Sequence, residues 1–171
     1  MRGWGICVLL VGVLVSLVAA PSLGAARCEW IYQGDDNSEA TRLLADFLED
    51  HEVEVYSVRD YFVVVQDRFK VLLEPKMSED ELDRIIAHVI FSVKDFYKGS
   101  RTLLSFVNGL NQKYNIGGFY INEDGNFAFQ TQLTFFDHVS WDEMGAFIDW
   151  VNKSLFTIIK ANEEDFTKYL Q

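Results

Sequence analysis

Three stretches of the chain repeat apolar residues at helical spacing. Ala40, Leu43, Leu44, Phe47 and Leu48 recur every three or four positions, the period of one helix face, with Asp36 or Ser38 placed to cap it. That helix should end near Asp50. Leu103, Leu104, Val107, Leu110 and Tyr114 form a second face, opened by Gly99-Ser100 and stopped at Asn115-Ile116-Gly117-Gly118, where two glycines forbid continuation. The third has the clearest start. Ser140 and Glu143 have capping-box spacing, and Val139 and Met144 are placed as a hydrophobic staple. Met144, Phe147, Ile148, Val151, Leu155 and Ile159 then line one side, and residues 161–171 either extend this helix or form a tail.

Between the first two helices the period changes. "VEVYSV" alternates from Val53, Arg59-Asp60 turns the chain, and "YFVVVQ" and "RFKVLLE" follow as β-branched and aromatic runs, the latter stopped by Pro75. The stretch from Ser78 to Phe96 is compatible with a continuous helix. Its β-branched residues favour a loop or single helical turn and then a strand from about Arg84 to Val93. Read as three strands before the second helix and a hairpin after it, the order is α-β-β-β-α-β-β-α. This is an α+β domain over residues 38–160, with a mainly antiparallel five-stranded sheet flanked by helices.

Two of these strands, "YFVVV" and "RIIAHVIF", are apolar at odd and even positions alike. A half-solvated sheet would alternate, so both faces are expected to be covered. Three helices leave one face short of cover, which predicts a second protomer or a partner on Tyr61, Val63, Val65, Val89 and Phe91. The alternative is helices on both sides.

The N-terminus has a different pattern. Arg2 precedes an apolar run from Ile6 to Ala20, then Pro21 and small residues ending Gly24-Ala25-Ala26. This is the layout of a secretory signal peptide over residues 1–26, cleaved after Ala26. The run is short for a membrane span, so an uncleaved anchor is the lesser alternative and the only expected membrane contact. Arg27 before Cys28 excludes a lipoprotein site. Residues 27–37 read as a polar linker. The expected location is periplasmic or extracellular.

Charge and cysteine content narrow the classes further. The formal net charge is -11, and removing residues 1–26 takes away Arg2 and no acid, leaving -12. No basic cluster is present, which excludes nucleic acid as a partner. Cleavage also removes Cys7, so Cys28 alone cannot staple the domain and stability must come from the core.

The densest set of oxygen ligands is "YINEDGNF", Tyr120 to Phe127. Placing Gly125 at position 6 of a calcium loop puts Asp124 at 5 and Asn122 at 3, but Tyr120 at 1 and Thr131 at 12, where carboxylates are required. As a hairpin the segment is consistent. A three-residue loop, Glu123-Asp124-Gly125, pairs Ile121 with Phe127 and Phe119 with Phe129, gathering the apolar residues on one face. Gly125 then takes the left-handed position and Asn122 the turn position that favours Asn. His51, His88 and His138 lack metal-ligand spacing, and there is no nucleophile elbow or phosphate loop. No cofactor, metal or catalytic residue is expected.

The run from "SEATRLLADFLED" through "FVVVQDRFKVLLE" to "LLSFVNGLNQKYNIGGFYINEDGNFAFQTQLTF" and the last helix resembles YbjN-type domains, often labelled sensory transduction regulators. The most specific part is Asn108 and Asn111 on a helix, followed by Gly118, Phe119, Asp124 and Gly125 in "GGFYINEDG". The resemblance implies the type III secretion chaperone-like fold, commonly dimeric, which binds protein and carries no catalytic residues. Members of that family typically lack an export signal, so only the protein-interaction role carries over to this chain. The expected function is an exported, non-enzymatic, chaperone-like or regulatory module. Other readings are a binder of small molecules or ions in a pocket between sheet and helices, and an exported hydrolase.

Overall fold

A computed structural model of the chain describes residues 30–32, 36–78, 82–136 and 138–171. The segment read as a signal peptide, its cleavage point Ala26, and Cys28 lie outside the described residues.

The first helix, α1 (Asn37–Asp50), starts at Asp36, whose side chain accepts the Glu39 N–H at 2.7 Å. It ends in a Schellman turn, with Glu52 at φ 63° and the Val53 N–H bonded back to the Leu48 carbonyl at 3.0 Å. Four strands follow: β2 (Val55–Val58), β3 (Val63–Gln66), β4 (Lys70–Lys76) and β5 (Asp83–Phe91). The "VEVYSV" run thus makes a strand of its own, and the count before the second helix is four where the pattern suggested three. The segment ambiguous between helix and strand is a strand. Pro75 does not stop β4. It sits within the strand past the level at which β3 ends, where β4 has a neighbour on one side only, the position a strand proline tolerates.

After a short 3-10 turn (Asp95–Tyr97), α2 (Arg101–Lys113) begins at Ser100, which accepts the Leu103 N–H. The hairpin is β6 (Gly118–Ile121) and β7 (Phe127–Phe135), and α3 (Trp141–Ala161) carries the expected capping box. The Ser140 N–H and hydroxyl both donate to the Glu143 carboxylate and hold its pKa below the usual carboxylate range. Val139 and Met144, placed as the staple, are both fully buried.

Two ends of the chain are more ordered than their patterns suggested. Within the stretch read as a linker, β1 (Trp30–Tyr32) pairs antiparallel with β8 (His138–Ser140). The C-terminal residues form a separate helix, α4 (Glu163–Tyr169), which buries Phe166 and Tyr169. The Gln171 N–H then bonds to the Ser92 carbonyl at 3.0 Å, and Leu170 bridges Val93.

The main sheet has six strands in the order β2-β3-β4-β5-β7-β6, every neighbouring pair antiparallel. The α+β class stands, with one strand more than expected. All four helices contribute to a single core on one face of this sheet, where Val63, Val65, Val71, Leu73, Ile85, Ala87, Val89, Phe127 and Phe129 are buried. This corrects the nominated partner surface. Val63, Val65 and Val89 are 0–2% exposed beneath the helices, and Phe91 packs on the same core. Only Tyr61, 58% exposed in the β2–β3 turn, is free to meet a partner.

Candidate functional site: the open face of the sheet

The opposite face follows from the register. Val64, Leu72, His88 and Gln130 stand in one row across β3, β4, β5 and β7. Glu74, Ile86 and Gln132 form the next row, and Lys76, Arg84 and Thr134 the one beyond. In the other direction Ile90 and Ala128 lead to Tyr120 on β6. Leu72 and Ile86 are half-buried and Ile90 is 44% exposed, and none of the three belongs to the core. Among the described residues, no helix lies on this second face.

Its polar groups are organised around Glu74. One carboxylate oxygen meets the Lys76 ammonium at 2.7 Å and the other the His88 Nε2 at 3.2 Å. Tyr120 lies on the same face, and its hydroxyl pKa is raised, by burial first and then by the Glu74 charge. At the edge, Lys70 sits over the Tyr56 ring at 3.8 Å, and Tyr56 is 59% exposed. Arg84 lies directly across from Lys76, and its Nε is buried without a hydrogen-bond partner among the described residues.

The residues of the turn cluster serve geometry. The Asn122 side chain accepts the Asn126 N–H at 2.8 Å, and the Gly125 N–H bonds the Asn122 carbonyl at 2.9 Å. Gly125 has φ 76°, and the register pairs Ile121 with Phe127 and Phe119 with Phe129. Asp124 is exposed at the tip.

Asn108 and Asn111, one helical turn apart on α2, have separate surroundings. Asn108 is exposed, beside Leu104, Ser105 and Gln112 on the outer side of α2. Asn111 binds edge strand β6 through both ends of its amide. It donates to the Phe119 carbonyl and accepts the Phe119 N–H, each at 2.8 Å. It therefore occupies the hydrogen-bonding place of a neighbouring strand. Replacing Asn111 by Ala should destabilise the domain by about 1–2 kcal/mol, since both Phe119 groups lose a partner. Urea unfolding would measure this, and an unchanged midpoint would show that water replaces the amide.

The histidines are apart. His51 stacks on Trp141 at 4.4 Å and bonds the Phe47 carbonyl, His88 meets Glu74, and His138 is in β8. An apolar cleft of about 480 Å3 opens among Phe69, Phe91, Ile159, Phe166 and Leu170. Lys94 lines it, but its ammonium already donates to the Thr167 and Lys168 carbonyls at the end of α4. Convergent polar groups, which a small-molecule site needs, are not gathered there among the described residues.

The sequence pattern did contain a signal for the open face. Lys70, Glu74, Lys76, Arg84 and His88 all have even numbers, and the odd positions of β4 and β5 are filled mainly by apolar residues. Comparison with known protein families, curated proteins and solved structures found no match for this chain.

Proposed function

We propose that this protein is an exported, non-enzymatic interaction module of the YbjN type, holding a protein partner or a twin subunit on the open sheet face. One observation carries this reading. Leu72 and Ile86 are partly exposed and Ile90 is 44% exposed on a face that no helix among the described residues covers, and apolar surface gathered on one face marks interaction sites. The N-terminal layout supports export, and the residues from Asn108 to Gly125 support the family.

The test is affinity capture from the exported fraction with chain 27–171, beside an Ile86→Glu variant whose circular dichroism is unchanged. A partner or second copy retained by the parent chain should fall at least about tenfold in the variant, because a charge would be buried unpaired in the interface. A strictly monomeric chain that captures nothing, or capture indifferent to Ile86→Glu, would refute the reading.

A further inference from the structure

We propose that the open sheet face docks an acidic amphipathic helix of a partner protein, with Arg84 and Lys76 as the anion-binding pair. This deepens the interaction reading above and rests on it. Three observations on the same face converge.

The first is a charge asymmetry. The chain has a formal net charge of -11. On the outward positions of the six strands, the register places Lys70, Lys76 and Arg84 against a single acid, Glu74. Glu54, exposed between the core-packed Val53 and Val55 just before β2, adds a second acid at the edge of this face, so Lys and Arg still outnumber Asp and Glu there by one on an acidic protein. The second is an unfavourable juxtaposition. Lys76 and Arg84 are direct cross-strand partners, and like charges so placed destabilise a sheet. Glu74 neutralises Lys76 at 2.7 Å, whereas Arg84 has no carboxylate partner among the described residues, and its buried Nε lacks a hydrogen bond. An incoming carboxylate on the outer Nη groups of Arg84 would relieve the repulsion, and Arg is suited to carboxylate binding. The third is the apolar surface on the same face, where Ile86 is next to the Lys76–Arg84 row and Leu72 and Ile90 lie farther along, surface of the kind that α1 to α4 cover on the opposite face.

Charge also decides between occupants. A second copy docked through the same face would set an excess of cations against an excess of cations. An anionic bilayer would be met by three cations only, fewer than the four to eight basic residues of lipid-binding clusters, on a chain that it repels overall.

The probe is a fluorescein-labelled helical peptide with Leu at i, i+3, i+4 and i+7 and Glu on both flanks, followed by anisotropy against chain 27–171. Binding should weaken at least about tenfold in Arg84→Gln/Lys76→Gln, and should fall between about 50 mM and about 500 mM NaCl as desolvated charge pairing implies. A Gln-for-Glu version of the peptide should bind at least about tenfold less tightly. Equal binding of the neutral peptide, indifference to the double substitution, or no binding by either peptide overturns the proposal. So does preferential binding to anionic vesicles. If these results arise while partner capture stays sensitive to Ile86→Glu, the charge assignment fails and the interaction face survives. If capture is also indifferent to Ile86→Glu, the face itself is refuted.

Discussion

Replacing Phe127 by Ala should lower the unfolding free energy by about 3–5 kcal/mol, the largest loss expected from any single truncation in this core. Phe127 is completely buried, and its ring centroid lies 5.5–6.3 Å from those of Phe91, Phe106, Phe119 and Phe166. These four rings come from β5, α2, β6 and α4, so one side chain joins the strands on both sides of β7 to two helices. Aromatic rings are rigid and cannot close over a missing neighbour without moving backbone, which leaves most of the cavity unfilled. Urea unfolding with an unchanged slope would measure the loss as a shift in midpoint. Phe127→Leu, which keeps much of the volume, should lose clearly less. A loss below about 1.5 kcal/mol in Phe127→Ala, outside the range for such truncations, would mean that the cluster collapses onto the gap.

The same residue shows why the hairpin could be read from its sequence. A loop of two residues or three changes which side chains share a face, and only the three-residue loop puts Phe119, Ile121, Phe127 and Phe129 together. Where a shift of one residue reverses burial, pattern determines register. Helix starts were legible for a similar reason, because Asp36, Ser100 and Ser140 satisfy N–H groups three residues ahead.

The face of the sheet was harder. β3 reads Val63-Val64-Val65, apolar at each step, and all three valines are at most 8% exposed, so its own period is silent. The orientation lies in β4 and β5, whose charges other than the buried Asp83 are on even positions, and it reaches β3 only through the pairing of Val64 with Leu72. Pairing is a tertiary fact, invisible to a window along the chain. For the same reason the pattern along the chain signals a need for cover but does not separate Val63, Val65 and Val89, which lie on the core face, from the residues of the other face. The three-residue strands β1 and β8 are too short to show any period. The asparagine contacts need a partner far away in sequence: Asn152 of α3 accepts the Phe69 N–H at 3.2 Å, and Asn37 that of Met77 at 2.8 Å.

Gly117→Ala is the second substitution expected to be severe, at about 3 kcal/mol, the upper end of what overpacking costs. A methyl group at this position would collide with the Gln130 carbonyl oxygen and approach two atoms of the Phe129 ring at 2.9 Å. Neither neighbour can yield. The carbonyl belongs to β7, where Gln130 is paired with Gly118 on one side and His88 on the other, and Phe129 is fully buried. Gly118, next along the chain, has open space at the same distance, and Gly118→Ala provides the control. Thermal and urea unfolding of the pair should show a large loss for Gly117→Ala and a small one for Gly118→Ala. Equal losses would trace the effect to backbone flexibility in the turn between α2 and β6. A loss confined to Gly117 would show that the turn into β6 needs a glycine there, both for its φ of 155° and for its close approach to β7.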